Sequence, residues 1–328
     1  MKLLLYADTH FHNWSESERP DHWRNLVGVI GRVYRIALRE ECDWVVHLGD
    51  LFESKRRIRS DVISTVFTEI IKHHTASGLR SAFVAGNHDF YGSECILTPL
   101  GEIPGISIFG VGGTLPGSRV VCAPWGTESG SVEVDRVRGI RSTILLFHGN
   151  VEGAAFSDRP GSRRCVKSDL ELLSRQAGNR SSGPVFAVGG HIHNPQTRHI
   201  QGDKGRSVVA YCGPPYQLSW SDADSRVGRG CATLDCETLA YKRFIFNDYP
   251  KFWTSDGPHV RPQDFVRGTS KVTAEVRTRV HKNHEVIGGD SAEHAIAEYV
   301  KLKCNQPENE ERLIQVGLDL YHASGGME

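Results

Sequence analysis

Short apolar runs that end in polar, glycine-bearing turns recur along this chain, and in its first third amphipathic stretches separate them. Residues 2–7 form the first such run, and residues 21–41 then carry Leu26, Ile30, Val33 and Ala37 at helical spacing. A second buried run follows at 44–48. Ser60 reads as the cap of a second helix, with Ile63, Val66 or Phe67, Ile70 and Ile71 on one face and Gly78 closing it. Residues 81–85 are a third strand. Strand, loop and helix repeated in series predict a parallel-leaning sheet with helices on its faces. Apolar runs at 106–109, 120–123, 143–147, 185–188 and 208–211 have fewer and shorter helices between them, so the second half is more β-rich. Residues 231–234 and 241–246 read as a closing hairpin around 235–239.

The texture changes after Asn247, where Pro250, Pro258 and Pro262 break the chain repeatedly. A domain therefore ends near residue 248. Residues 271–280 alternate Val272, Ala274, Val276, Thr278 and Val280 on one face, as a half-buried strand does. Gly288-Gly289 is a joint, and beyond it 291–303 and 308–323 are two amphipathic helices. Ala292, Ala295, Ile296 and Tyr299 stripe the first; Leu313, Val316, Leu320 and Tyr321 stripe the second, whose first turn holds Glu308, Glu310 and Glu311 where they suit the helix dipole.

Composition narrows the class of protein. Lys+Arg and Asp+Glu both number 39 in 328 residues, so the chain lacks the overall basic bias usual in a nucleic-acid binder. Its 8 Cys are scattered with no CxxC pair, and nothing before the first strand reads as a signal peptide, which predicts reduced thiols and a cytoplasmic location. Apolar runs are far shorter than the roughly 20 residues a membrane span needs. The 16 His are the unusual component, and many of them are placed rather than scattered.

They stand, with carboxylates, where the predicted strands end: Asp8-Thr9-His10, Gly49-Asp50, Gly86-Asn87-His88-Asp89, His148-Gly149 and Gly190-His191-Ile192-His193. In an open α/β sheet a site assembles at the carboxyl ends of strands, so these turns converge. A single Asp-x-His is more often a capped turn than a ligand pair, and a single His-x-His is often two satisfied imidazoles; it is the ordered set that points to metal. Carboxylate, imidazole and one amide without thiolate suit Mn(II), Fe or Zn, and the set is large enough for a dinuclear centre.

The series DxH, GD, GNHD, GH, GHxH, ending at His193, resembles that of the calcineurin-like metallophosphoesterases. That resemblance implies an α/β fold, a β-sandwich flanked by helices, with two metal ions, Mn(II) by preference and Mg, Fe or Zn as alternatives. It implies that Asp8, His10, Asp50 and His193 hold one ion and Asp50, Asn87, His148 and His191 the other, with Asp50 bridging. His88 would be the non-ligand imidazole that stabilises the transition state or protonates the leaving oxygen, oriented by Asp89.

The segment from Tyr211 to Ser221, YCGPPYQLSWS, is similar to the one after GHxH in SbcD-type nucleases, including their phage counterparts, the recombination endonuclease small subunits. Gly49-Asp50-Leu51-Phe52-Glu53 resembles their Gly-Asp-Leu-Phe-Asp. The triplet Ala123-Pro124-Trp125 and the pairs Leu313-Ile314 and Leu320-Tyr321 agree with the phage group. Pro214 stands where those nucleases carry Ser, His12 where they carry Gly, and 249–288 is short for their DNA-capping domain. The resemblance implies a nuclease domain at 1–248, a reduced α+β cap at 249–288, and a helical pair at 289–328 that docks on an SbcC-type coiled-coil ATPase. It also implies a homodimer through helices 21–41 and 60–77. The activity implied is 3′-to-5′ exonuclease on duplex ends and endonuclease on single-stranded DNA, in a bacterial or phage-infected cell.

Basic residues cluster after the site strands despite the balanced total: Lys55, Arg56, Arg57 and Arg59; Arg159, Arg163, Arg164 and Lys167; Arg226 and Arg229. With Tyr216 they are candidate DNA contacts, the plain alternative for the clusters being solvated loops. Trp14, Trp125 and Trp220 are stacking or packing residues. Two competing readings remain, a small-molecule phosphodiesterase or phosphatase with the same metals, and a non-catalytic scaffold, against which every ligand position and His88 are filled.

Overall fold

A computed structural model describes residues 1–12, 22–53, 58–126, 143–169, 185–202, 205–219, 222–223, 225–254 and 264–266. Residues 55–57, Trp14, Trp220, the expected strand at 271–280 and the expected helices at 291–303 and 308–323 lie outside these described residues. The chain divides into two compact units, Met1–Phe252 and Trp253–Glu328. In the second, the indole N–H of Trp253 donates to Asp264 at 2.9 Å.

The first unit runs β1 (Lys2–Tyr6), α1 (His22–Arg39), β2 (Trp44–His47), α2 (Ser60–Ser77), β3 (Arg80–Val84), a small hairpin of β4 (Phe90–Tyr91) and β5 (Glu94–Cys95), then β6 (Ile106–Phe109) and β7 (Gly113–Thr114). It continues with β8 (Val120–Ala123), β9 (Thr143–His148), β10 (Val185–Gly190), β11 (Gln196–Gly202), β12 (Gly205–Tyr211), β13 (Gly230–Asp235) and β14 (Tyr241–Ile245). One six-stranded sheet has the order β14-β13-β1-β2-β3-β6, the other β11-β12-β10-β9-β8-β7. Inner strands of each are parallel, β1 with β2, β2 with β3, β8 with β9 and β9 with β10; edge strand β6 is also parallel to β3, and antiparallel strands close the other three edges.

Alternation along the strands builds the layers. Leu3, Leu5, Trp44 and Val46 meet Val120, Cys122, Leu146 and Val188 between the sheets, whereas Leu4, Tyr6, Val45 and Phe83 face α1 and α2. Both faces of the central strands are therefore buried, which is why they read as unbroken apolar runs. Each fully buried Leu or Val contributes about 1.5–3 kcal/mol from removing its side chain from water.

The first helix buries Leu26, Ile30, Val33 and Ala37, the face its spacing predicted. The second differs from expectation. Ser60 lies inside its first turn, Arg59 is the N-cap residue, and no side chain caps the free N–H groups. Its buried line is Val62, Val66, Ile70 and His74, with Ile63, Phe67 and Ile71 only partly covered beside it. The polar end of that line is stable because both ring nitrogens of His74 are satisfied, by Ser81 Oγ and the Pro104 carbonyl at 3.0 Å each. Gly78 closes the helix at φ 66°. The β13/β14 hairpin forms as predicted, Leu234 opposite Tyr241. Strand β11 had no apolar run to betray it, because as an edge strand it pairs only with β12. Among the described residues no helix is long and apolar enough to cross a membrane.

Candidate metal centre

The polar turns that follow β1, β2, β3, β9 and β10 lie at the carboxyl ends of those strands and meet at one place. Hydrogen bonds to main-chain carbonyls stitch them together: Asp8 N–H to the Gly49 carbonyl at 2.9 Å, His10 N–H to the Asp50 carbonyl at 3.1 Å, and the His148 ring Nδ1–H to the Leu48 carbonyl at 2.7 Å. Asp8, His10, Asp50 and His191 all adopt positive φ, of 53°, 46°, 56° and 88°. Such backbone is sparsely populated by non-glycine residues and costs roughly 1–3 kcal/mol each, so the surrounding packing holds these ligand candidates in place. Two glycines permit the approach. A Cβ on Gly49 would fall 2.1 Å from His148 Nδ1, and one on Gly86 2.2 Å from Asp50 Oδ1.

The donor atoms form three overlapping groups, Asp8–His10–His193, His10–Asp50–His88 and Asp50–His148–His191, each with its atoms within 4.8 Å of one another. Asp50 Oδ2 lies 3.6 Å from His10 Nε2 and 3.3 Å from His148 Nε2. Asn87 Oδ1 lies 3.2 Å from His148 Nε2 and 3.0 Å from His191 Nδ1. Every ligand predicted from sequence is thus in the cluster, with Asp50 shared between its halves. The arrangement fits cations. Asp8 Oδ1 accepts the His191 N–H at 2.8 Å, but Oδ2 is buried with no hydrogen-bond partner, and the Nε2 atoms of His10 and His193 face each other at 3.1 Å. A buried carboxylate oxygen without a donor is costly unless an ion completes it.

The electrostatics point the same way. Burial pushes the Asp8 carboxyl up to about 6. Burial alone would raise Asp50 too, but His148 and His10 outweigh it and hold its carboxyl well below the usual range. For His148 the balance is reversed: burial opposes its charge, yet Asp50 and Asp8 lift it to about 9. Burial, reinforced by neighbouring His148, lowers His191 to about 4, and burial with His10 lowers His193. Those imidazoles are neutral, the form in which a ring nitrogen ligates.

His88 belongs to one of these groups, its ring 5.0 Å from that of His10 and its backbone N–H donating to Asp50 Oδ1 at 2.8 Å. Its expected orientation by Asp89 is corrected by the structure. The Asp89 carboxylate accepts backbone N–H groups of Gly86, Asp50 and Leu51 at 2.8, 2.9 and 3.0 Å, and so clamps two strand-end turns together. Burial and the nearby Asp50 raise it to about 7. The group that does meet His88 Nδ1 is the Glu53 backbone carbonyl. No pattern in the sequence marks Glu53, which appears only as the last letter of GDLFE. Its side chain lies 2.6 Å from His10 Nδ1.

Among the candidate DNA contacts, Tyr216 is also corrected: it is 1% exposed, and its hydroxyl donates to the Thr9 carbonyl at 2.7 Å, bracing the DxH turn. Arg229 is likewise buried, paired with Asp222 at 2.8 Å. Arg163 and Arg164 are exposed, Arg164 bonding the Gly153 carbonyl at 2.9 Å, and Arg59 is exposed and grips Asp61 through two bonds of 2.9 Å. His12 Nδ1–H donates to the His10 carbonyl at 2.8 Å. Trp125, half-buried, puts its ring 4.8 Å from His191.

Carboxylates, imidazoles and an amide gathered at strand ends of a two-sheet α/β sandwich define a phosphoesterase hydrolase. The chain belongs to the calcineurin-like phosphoesterase family, whose sequence model matches residues 1–221. A curated relative is the DNA double-strand break repair protein Mre11 of Haloferax volcanii, 23% identical over 238 residues, which are 69% of this chain and 48% of the relative. The chain spans about half the length of that relative. Two solved structures are distantly similar. A dimetal phosphatase from Danio rerio is 13% identical with a TM-score of 0.46, over 71% of this chain and 91% of that one. Yfce, a phosphoesterase from E. coli, is 16% identical with a TM-score of 0.36, over 76% of this chain and 95% of that one.

Proposed function

We propose that the chain is a Mn(II)-dependent DNA phosphodiesterase, the nuclease subunit of an SbcC/SbcD-type repair and recombination complex. One observation carries this reading: a cluster of carboxylate and imidazole donors that includes His88, in a chain related over 238 residues to a protein of DNA double-strand break repair. In this reading Asp8, His10, Asp50 and His193 hold one ion and Asp50, Asn87, His148 and His191 the second, with Mg, Fe or Zn able to substitute. Two such ions would neutralise phosphoryl oxygens and activate water at neutral pH.

The protein's own groups do the rest. His88, with Nδ1 on the Glu53 carbonyl, keeps Nε2 to pass a proton to the leaving oxygen. Asp50 links His88 to the ion cluster through the His88 backbone N–H. Arg163 and Arg164 are exposed on the loop after β9, where they meet backbone phosphates flanking the cleaved bond; exposed Arg59 does so at the start of α2, and Lys55, Arg56 and Arg57, which precede it in the sequence, are proposed to join it. Residues 1–248 form the nuclease domain, 249–288 a reduced cap, and 289–328 the segment that docks on the coiled-coil ATPase. A homodimer forms through α1 and α2, and the complex works in the cytoplasm.

The test is cleavage of linear duplex, circular single-stranded DNA and cyclic nucleotides by the full chain with Mn(II). Release of nucleotides from duplex ends, 3′ to 5′, and nicking of the single-stranded circle support the reading. Brisk hydrolysis of cyclic nucleotides without DNA cleavage establishes a small-molecule phosphodiesterase instead.

A further inference from the structure

Between the ligand candidates Asp8 and His10 stands Thr9, a fully buried residue. Its Oγ1 lies 3.1 Å from the Leu51 carbonyl and 3.2 Å from His47 Nε2, and its own carbonyl accepts the Tyr216 hydroxyl at 2.7 Å. Both neighbours of Thr9 hold positive φ, so this turn must be held in place rather than adopted freely. His47, equally buried, is the last residue of β2 and precedes Asp50 by three positions. Its ring meets Tyr6 edge-on with centroids 4.6 Å apart and lies 6.0 Å from the ring of Phe83, contacts that fix the plane of the imidazole.

The balance of donors and acceptors places the protons. Burial, with His148 nearby, keeps the His47 ring neutral by lowering it to about 3, so it carries one N–H and one bare nitrogen. Nδ1 is buried with no hydrogen-bond partner. A proton there would be a dry donor, which folded proteins avoid. A proton on Nε2 instead goes to Thr9 Oγ1, whose own proton goes to the Leu51 carbonyl. Leu51 is held in turn, its N–H donating to Asp89 at 3.0 Å. Side chains therefore tie the turn of Asp8 and His10 to the turn of Asp50, independently of the main-chain bonds between them.

We propose that His47 is a positioning residue of the metal centre: by donating to Thr9 Oγ1 it locks the middle of the Asp8-Thr9-His10 turn and keeps Asp8 and His10 aimed at one ion. It acts only through Thr9. The inference rests on the reading of Asp8 and His10 as metal ligands, and it is indifferent to which phosphodiester the centre cleaves.

The experiment compares the full chain as wild type, Thr9→Val, Thr9→Ser, His47→Leu and His47→Gln, each freed of metal by a chelator. Thr9→Val keeps the shape of the side chain and loses both of its bonds, whereas His47→Gln returns an N–H to the neighbourhood of Nε2. Calorimetry reads Mn(II) affinity, and a melting curve without metal reads stability. Affinity should fall several-fold in Thr9→Val and His47→Leu, short of the roughly 10–100-fold expected where the lost group bonds a ligand directly. Thr9→Ser and His47→Gln should bind Mn(II) nearly as wild type does. Nitrogen NMR of metal-free wild type, which needs no variant to fold, should show His47 protonated on Nε2. Unchanged affinity in Thr9→Val and His47→Leu, even with lower melting points, makes the contact structural only and overturns the proposal. So does a wild-type His47 protonated on Nδ1. Wild-type protein that takes up no Mn(II) overturns the ligand reading itself, and this inference with it.

Discussion

The side-chain carboxylate of Glu53 lies 2.6 Å from Nδ1 of His10, so that Nε2 of the same ring is left to face Asp50 and His193. If His10 holds a metal ion as proposed, a carboxylate on the far nitrogen of its ring fixes the tautomer and raises its basicity. Glu53→Gln should weaken Mn(II) affinity by roughly 10–100-fold, with Glu53→Asp closer to wild type. Calorimetry measures the affinity, and histidine NMR of the metal-free protein reports the tautomer. Unchanged affinity in Glu53→Gln would mean that the contact does not support the ligand.

Proton release should accompany metal binding. Asp8 near 6 and His148 near 9 both carry protons in acidic metal-free protein, and both must shed them to ligate. The sign is therefore rising affinity as pH increases from about 6 to about 9. Titration calorimetry in two buffers of different ionisation enthalpy counts the protons; a flat affinity over that range contradicts the assignment of His148 as a ligand.

Substituting His88 separates acid catalysis from metal holding. His88→Ala should cost roughly 10²–10⁴-fold in kcat while Mn(II) binding stays as in wild type. Because His88 lies within the span of His10 and Asp50, a parallel fall in metal affinity would make it a ligand instead.

Asp89 accepts N–H groups from Gly86, Asp50 and Leu51, and an amide in its place turns one acceptor into a donor facing a donor. Asp89→Asn should destabilise the fold by about 1–3 kcal/mol, seen as a lower thermal midpoint. A variant as stable as wild type would show that the clamp carries little.

Gly86→Ala tests the closeness of the turns. The added methyl would meet Asp50 Oδ1 at 2.2 Å and Asp50 N at 2.3 Å, both in the shared half of the cluster. Loss of the tighter of the metal-binding steps is expected, with α1 and α2 intact by circular dichroism. Full metal occupancy in this variant would show that the turn relaxes freely.

Much of the molecule could be read from residue patterns. The helix of Leu26, Ile30, Val33 and Ala37 declared itself because its buried stripe has a period of 3.6, and β1, β2 and β9 because burial on both faces leaves an unbroken apolar run. In the second helix both Ile63 and Val62 satisfy the spacing, and only contact with the sheet chooses Val62. The edge strand β11 was invisible for the opposite reason, its sequence QTRHIQG being polar throughout much of its length.

What the amino-acid sequence by itself determined was the identity of the cluster: which carboxylates, imidazoles and amide stand at strand ends, and in what order. That information is local, since each lies within a residue or two of the end of an apolar run. Partnership was decided only by the tertiary structure. Tyr216 reaches Thr9 across 207 residues, and His10 meets His193 across 183, so no local pattern says that the first is a buried brace or that the second is a neighbour. Asp89 stands next to His88 in the chain and yet bonds the main chain of two turns, while Glu53, from another strand end, contacts both His10 and His88. Which donor finds which acceptor is set by burial, and burial is a property of the packed sheets.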